Sequence, residues 1–204
     1  MFFSGFFSRR VWFKRWKIKK LTKKANVMRD LRMHNPVDEQ AIAKEVGIYH
    51  RLSFIYSLLV QKKRYPHARV MVIESLRAAA ALDDAKAQFD LAMRFLEEAK
   101  FRKVLQDEEL FASTVNDRTQ RQLFEEAHAY LEAAERLGHI QAKRVRGLCY
   151  INGWGVEKDK DKGFEFVVAS IEQEKSWDRV PAIFAEIGLN KPEFFTALGA
   201  RKRP

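Results

Sequence analysis

From residue 37 to the end of the chain, apolar residues recur at three- and four-residue intervals, broken only by short polar stretches. In "NPVDEQAIAKEVGIYHRLSFIYSLLVQKKRY", Ile42, Val46, Tyr49, Leu52, Ile55, Tyr56 and Leu59 keep the 3.6-residue spacing of one helix face. Asn35 and Pro36 precede it, Asp38 and Glu39 favour its positive end, and bases close it, which predicts one long amphipathic helix. Pro66 opens the next helix, and only "LDD" separates that one from "AKAQFDLAMRFLEEAKFRKVL". "ASTVNDRTQR" interrupts the pattern, then "QLFEEAHAYLEAAERLG" and "HIQAKRVRGLCYING" form another pair, and Pro192 opens the last segment. The two-residue alternation of strands is scarce. Breaks this short fold consecutive helices back on one another, so the expected fold is all-α, built of antiparallel helix pairs.

An array of paired helices invites a search for internal repeats. At an offset of 55, Ala79 aligns with Ala134, Leu82 with Leu137, Ala87 with Ala142, Ala92 with Gly147 and Phe95 with Tyr150. Small residues match small ones and an aromatic matches an aromatic. Small side chains at a crossing let helix axes approach, and the aromatic fills the space toward the next pair.

The segment "RGLCYINGWGVEKDKDKGFEF" then becomes legible. Ala142, Gly147, Tyr150, Gly153, Gly155, Val156, Asp159, Lys162 and Phe166 stand where the Sel-one-like repeat, a relative of the tetratricopeptide repeat, has its defining residues. The chain resembles that family most clearly over 133–171, more weakly over 78–95, and not over 1–36. The departures are Arg146 for the usual Leu, Gly163 for the usual Ala, and Ser170-Ile171 for the usual pair of alanines. The offset of 55 exceeds the family's spacing and implies an insertion at about 96–122. The resemblance implies a short right-handed solenoid with degenerate repeats over 37–204, acting as a non-enzymatic adaptor or scaffold for another protein. Solenoids of this type offer extended surfaces and no chemistry of their own. In "NGWGV" the glycines are expected to reverse the chain through positive φ, and Asp159 to cap the next helix. Of the nearby aromatics, Tyr150 is expected in the core and Trp154 as a loop anchor, with Trp177 beside the same loop.

Charge separates the first 36 residues from the rest. Residues 1–33 hold eleven Lys/Arg and one acid, Asp30, while the remaining 171 residues carry 27 bases and 26 acids. The arm "MFFSGFFSRRVWFKRWKIKKLTKK" interleaves aromatics with bases, Phe6, Phe7, Arg9, Arg10, Trp12, Arg15, Trp16, Lys17, Lys19 and Lys20 among them. Its aromatics and bases do not sort onto two faces of one helix. Four readings stay open at this point: an anionic membrane surface taking rings at the headgroups and bases on the phosphates, an arm packed on its own body, nucleic acid, and an organelle-targeting peptide. The first combines with the repeats into a scaffold tethered at a membrane; the alternative is an RNA-binding protein that reads through the arm.

Catalytic and metal chemistry find little to stand on. Cys149 is the only cysteine, which excludes an internal disulfide and fits a reducing cytoplasm; its place beside the family's aromatic predicts a buried, inert thiol. Glu125-x-x-His128 has the spacing of half a di-iron site but no second copy, and a surface turn is the simpler expectation. His50, His67 and His139 have no partner at ligand spacing. No cofactor, metal or small-molecule substrate is expected. The apolar run 52–60 is far shorter than the roughly 20 residues a bilayer requires, and the bases follow "MFFSGFF" where a secretory signal would place them first. The expected location is cytoplasmic, peripheral at a membrane.

Overall fold

A computed structural model describes residues 9–34, 38–62 and 65–201, and within them the side chains of 13–34, 38–62 and 65–200. Among the described residues it is all-α: α1 (Arg9–His34), α2 (Glu39–Ser57), α3 (Ala68–Ala80), α4 (Ala85–Asp107), α5 (Thr114–Arg136), α6 (Ile140–Asn152), α7 (Lys160–Glu174), a 3-10 turn at Trp177–Arg179, α8 (Val180–Glu186) and α9 (Pro192–Arg201). The chain divides into two compact units, 1–87 and 88–204, and the boundary falls in the first turn of α4.

In the first unit α1 packs on α2, and α2 on α3. The seam of α1 is Ile18, Leu21, Ala25 and Met28, the spacing of a narrow helix stripe; Leu21 and Ala25 are buried against Ile48, Leu52, Ile55, Leu59 and Ala68. Asp38 caps α2 by accepting from the Ala41 amide at 3.0 Å. The buried stripe of α2 starts one residue earlier than the expected Ile42, Val46 and Tyr49: Ala41, Glu45 and Ile48 are the buried residues. Charge pairing makes that rotation tolerable. Glu45, 1% exposed, accepts from Arg32 Nε at 2.9 Å and from the Tyr49 hydroxyl at 3.0 Å, so its carboxylate enters the core with partners. The pair raises the Arg32 pKa, and burial raises that of Tyr49. The helix is also shorter than expected, because the chain turns after Ser57 while Leu59 stays in the core at 1% exposure.

Gly47 lies inside α2 with nothing within 4 Å of where a Cβ would stand. Alanine there removes unfolded-chain freedom and meets no neighbour, so Gly47→Ala should raise stability by about 0.5–1 kcal/mol; urea unfolding of the two proteins checks it.

In the second unit, sequence neighbours again run antiparallel. Along α4 and α5, Arg102 donates to Asn116 at 3.2 Å, and further from the connection Phe95 lies 5.9 Å from Tyr130. Along α6 and α7, Ile151 lies at Gly163, Gly147 at Val167, and Arg144 donates to Ser170 at 3.1 Å and pairs with Glu174. The break at "ASTVNDRTQR" is short: Ser113 caps α5, accepting from the Asn116 amide at 3.0 Å, and the helix runs on through 114–121. The residues assigned to an insertion at 96–122 thus form the end of α4, a short connection and the start of α5. Leu148, Ile151, Phe164, Val167, Val168, Ile171, Val180, Ile183, Phe184, Leu189 and Leu198 build the core of α6 to α9.

Candidate functional site

The repeat residues come together where α6 turns into α7. Ala142 is fully buried and Gly147 is buried inside α6. At the other end of that helix Gly153 adopts φ 73° and caps it, Trp154 N–H donates to Cys149 O at 2.9 Å, and Gly155 follows at φ 71°. This is a left-handed exit that glycine takes without Cβ strain. Val156, half-buried, continues the loop. Asp159 then caps α7, accepting from the Lys162 amide at 2.9 Å. Tyr150 is half-buried, its ring 5.5 Å from both His128 and Phe166, with Lys162 Nζ 4.2 Å above it.

The loop is seated on α5. The Trp154 ring stacks on Phe124 at 6.1 Å and 3°, and Lys100 Nζ stands 3.9 Å from its centroid, a cation–π contact strengthened by partial desolvation. Burial lowers the Lys100 pKa, opposed by Cys149 and Glu97. Trp154 is therefore a loop anchor, as its sequence position suggested, but Lys100 and Phe124 were not foreseen; they lie 54 and 30 residues away, and nothing local marks them.

Each departure from the repeat pattern has a partner. Arg146, 9% exposed, pairs with Glu135 at 2.6 Å and Glu132 at 3.6 Å and lies 5.0 Å over the Phe166 ring. Ser170, fully buried, accepts from Arg144 and donates to Val167 O at 2.7 Å. Ile171 is fully buried in the core. Gly163 faces Gly147, and a Cβ on either would stand 2.5 Å from the other's carbonyl oxygen. The offset of 55 also extends to the caps: Asp84 accepts from the Ala87 amide at 2.7 Å, and His139 from the Ala142 amide at 3.3 Å.

Glu125 and His128 lie within α5, which corrects the expected surface turn; Glu125 is exposed and His128 is half-buried edge-on to Tyr150. Burial and then Arg146 hold the His128 pKa below its ordinary value, against Glu132 and Glu135. His50 Nε2 lies 2.7 Å from Asp84 Oδ1, a single pair and not a metal set. No group of three His, Cys, Asp or Glu suited to a metal occurs among the described residues, and no described helix is long and apolar enough to cross a membrane. Burial pushes the Cys149 thiol up to about 12, with Lys100 and Arg146 pulling against it. A neutral, fully buried thiol is a poor nucleophile. Native protein at pH 8 should therefore leave Cys149 unmodified by Ellman's reagent, and denatured protein should release one equivalent.

Of the arm residues, Phe6 and Phe7 lie outside the described residues, and Arg9, Arg10 and Trp12 stand on α1 with side chains outside those described. Arg15, Trp16, Lys17, Lys19 and Lys20 are exposed. Phe13 (54% exposed) lies 5.8 Å from Trp16 (47%), and Lys20 Nζ stands 5.1 Å from the Trp16 ring.

No family model matches the chain and no curated protein matches it. Among solved structures it is similar to a Sel1 repeat protein from Oxalobacter formigenes, with 17% identity over 85% of this chain and 84% of that one, at a TM-score of 0.26. The all-α architecture rests on the helices described above.

Proposed function

We propose that the chain is a non-enzymatic protein-interaction scaffold of paired helices, held peripherally at an anionic membrane surface by α1. The observation that carries the tether is the division of α1 into two faces. One is its seam in the core with α2. On another, at about 100° per residue, Phe13, Trp16, Val27 and Leu31 share roughly a third of the circumference with Lys17, Lys20 and Lys24. All four apolar side chains are exposed. Exposed aliphatic carbon among bases suits a lipid interface, where the chains bury carbon and the ammonium groups meet phosphate; nucleic acid would use the bases and the rings but not Val27 and Leu31. Protein docking is supported by the end of the α4–α5 hairpin, where Phe101, Val104, Leu110, Phe111 and Val115 are exposed. Large apolar residues left exposed at one end of a hairpin suit a partner site.

The test of the tether keeps α1, since deleting it would strip the core at Leu21 and Ala25 and strand the buried Glu45. Full-length protein and the Lys17→Gln/Lys20→Gln/Lys24→Gln variant are co-sedimented with anionic and neutral vesicles at two salt concentrations. At about 1 kcal/mol per base near the surface, the variant should lose about a hundredfold in partitioning to anionic vesicles, and neutral vesicles should bind neither protein. Equal sedimentation of the two proteins, or binding to single-stranded RNA alone, would sink the tether.

A further inference from the structure

A third surface of α1, flanking the seam at Ile18 and distinct from the exposed aromatic sector, lines a pocket with the end of α2 and the start of α3. Its volume is about 320 Å³, and it is lined by Arg15, Ile18, Lys19, Tyr56, Tyr65, Pro66, His67, Ala68 and Met71. That volume lies at the lower end of the range for small-molecule sites. The walls are mostly carbon, from Ile18, the two tyrosines, Ala68 and Met71. One feature departs from a plain packing defect: the charged residues of its described lining are the cations Arg15 and Lys19, exposed at the α1 side, with no acid among them.

We infer that this pocket binds a single-chain anionic amphiphile, its hydrocarbon tail between Tyr56, Tyr65 and Met71 and its phosphate or carboxylate on Arg15 and Lys19. Charge selects the head: among the described lining residues stand two cations and no anion, so a neutral amphiphile gains only the apolar contact and a free anion only the exposed ion pairs, which are weak alone. The ligand can come from the bilayer, as a lipid chain drawn from the surface, or from solution as a free acyl or alkyl anion. The inference stands without the membrane tether, because Arg15 and Lys19 lie outside the Lys17, Lys20 and Lys24 sector.

Isothermal titration with dodecyl phosphate below its micellar concentration tests it, with dodecyl maltoside supplying the same tail on a neutral head and inorganic phosphate supplying the head alone. One saturable site for dodecyl phosphate is expected, about tenfold or more weaker in Arg15→Gln/Lys19→Gln, with the maltoside weaker than the phosphate and inorganic phosphate silent. Met71→Trp, which fills the pocket from the exposed α3 side, should abolish the site. No saturable site, an affinity unchanged in Arg15→Gln/Lys19→Gln, or wild-type binding by Met71→Trp overturns the inference. Because Arg15 and Lys19 are exposed, the double variant remains a test even if Met71→Trp does not fold. Sedimentation of Met71→Trp with anionic vesicles assigns the source: reduced binding points to a bilayer lipid, and undiminished binding to a free amphiphile. Dodecyl phosphate failing to bind while vesicles still capture the wild type would sink the pocket and leave the tether intact.

Discussion

Gly155→Ala should destabilise the protein by about 3 kcal/mol, the sum of a left-handed conformation that costs alanine about 1–2 kcal/mol and an overpacking term of similar size. Gly155 holds φ 71°, and a methyl there would stand 2.3 Å from Phe124 O and 2.8 Å from the Glu125 nitrogen. Both are backbone atoms of α5, so no rotamer change relieves the overlap; the loop must lift and the Trp154–Phe124 stack must open. Gly188→Ala is the control, since Gly188 has φ 73° with nothing within 4 Å of its Cβ position: it should lose about 1–2 kcal/mol, the strain alone. Chemical denaturation of both variants decides it. Equal losses at the two sites would mean that the loop does not rest on α5.

Gly163→Val should be comparably damaging, at about 3 kcal/mol or more. Its Cβ would meet Gly147 O at 2.5 Å, Ile151 Cγ1 at 2.7 Å and Ile151 N at 2.9 Å, so α6 and α7 must separate and the contacts around Val167 and Ile151 loosen with them. Even Gly163→Ala, which restores the residue usual at that position of the repeat, should lose about 1 kcal/mol, because overpacking of about 1–3 kcal/mol outweighs the gain of roughly 1 kcal/mol in helix propensity. The same substitution is stabilising at Gly47, where the methyl meets nothing. Melting temperatures for the three variants give the comparison directly; a rise for Gly163→Ala would remove the close crossing.

The α6–α7 turn was legible because its causes are local. Positive φ at Gly153 and Gly155 and the Asp159 cap follow from residues within a few positions of one another, and the matched small residues Ala79, Ala87, Ala134 and Ala142 are all fully buried. The departures from the repeat were visible but not interpretable. Gly163 reads as decay of the pattern until Gly147 stands opposite it, and Arg146 reads as a lost apolar residue until Glu135 and Phe166 supply its partners. Lys100 beneath Trp154 carried no signal of any kind.

Periodicity and punctuation determined the helices after residue 37, their order and their antiparallel pairing, because hydrogen bonds four residues apart and short connections are near-neighbour effects; they did not mark α1 as a helix of the fold. Composition determined that the bases concentrate at the N-terminal end. Only the tertiary structure decided that α1 is both part of the first unit's core and a carrier of exposed bases, that Glu45 replaces Val46 in the interior, and that Cys149 is sealed. Those outcomes depend on which distant side chain arrives to neutralise a charge or fill a space, and a linear pattern holds no record of that arrival.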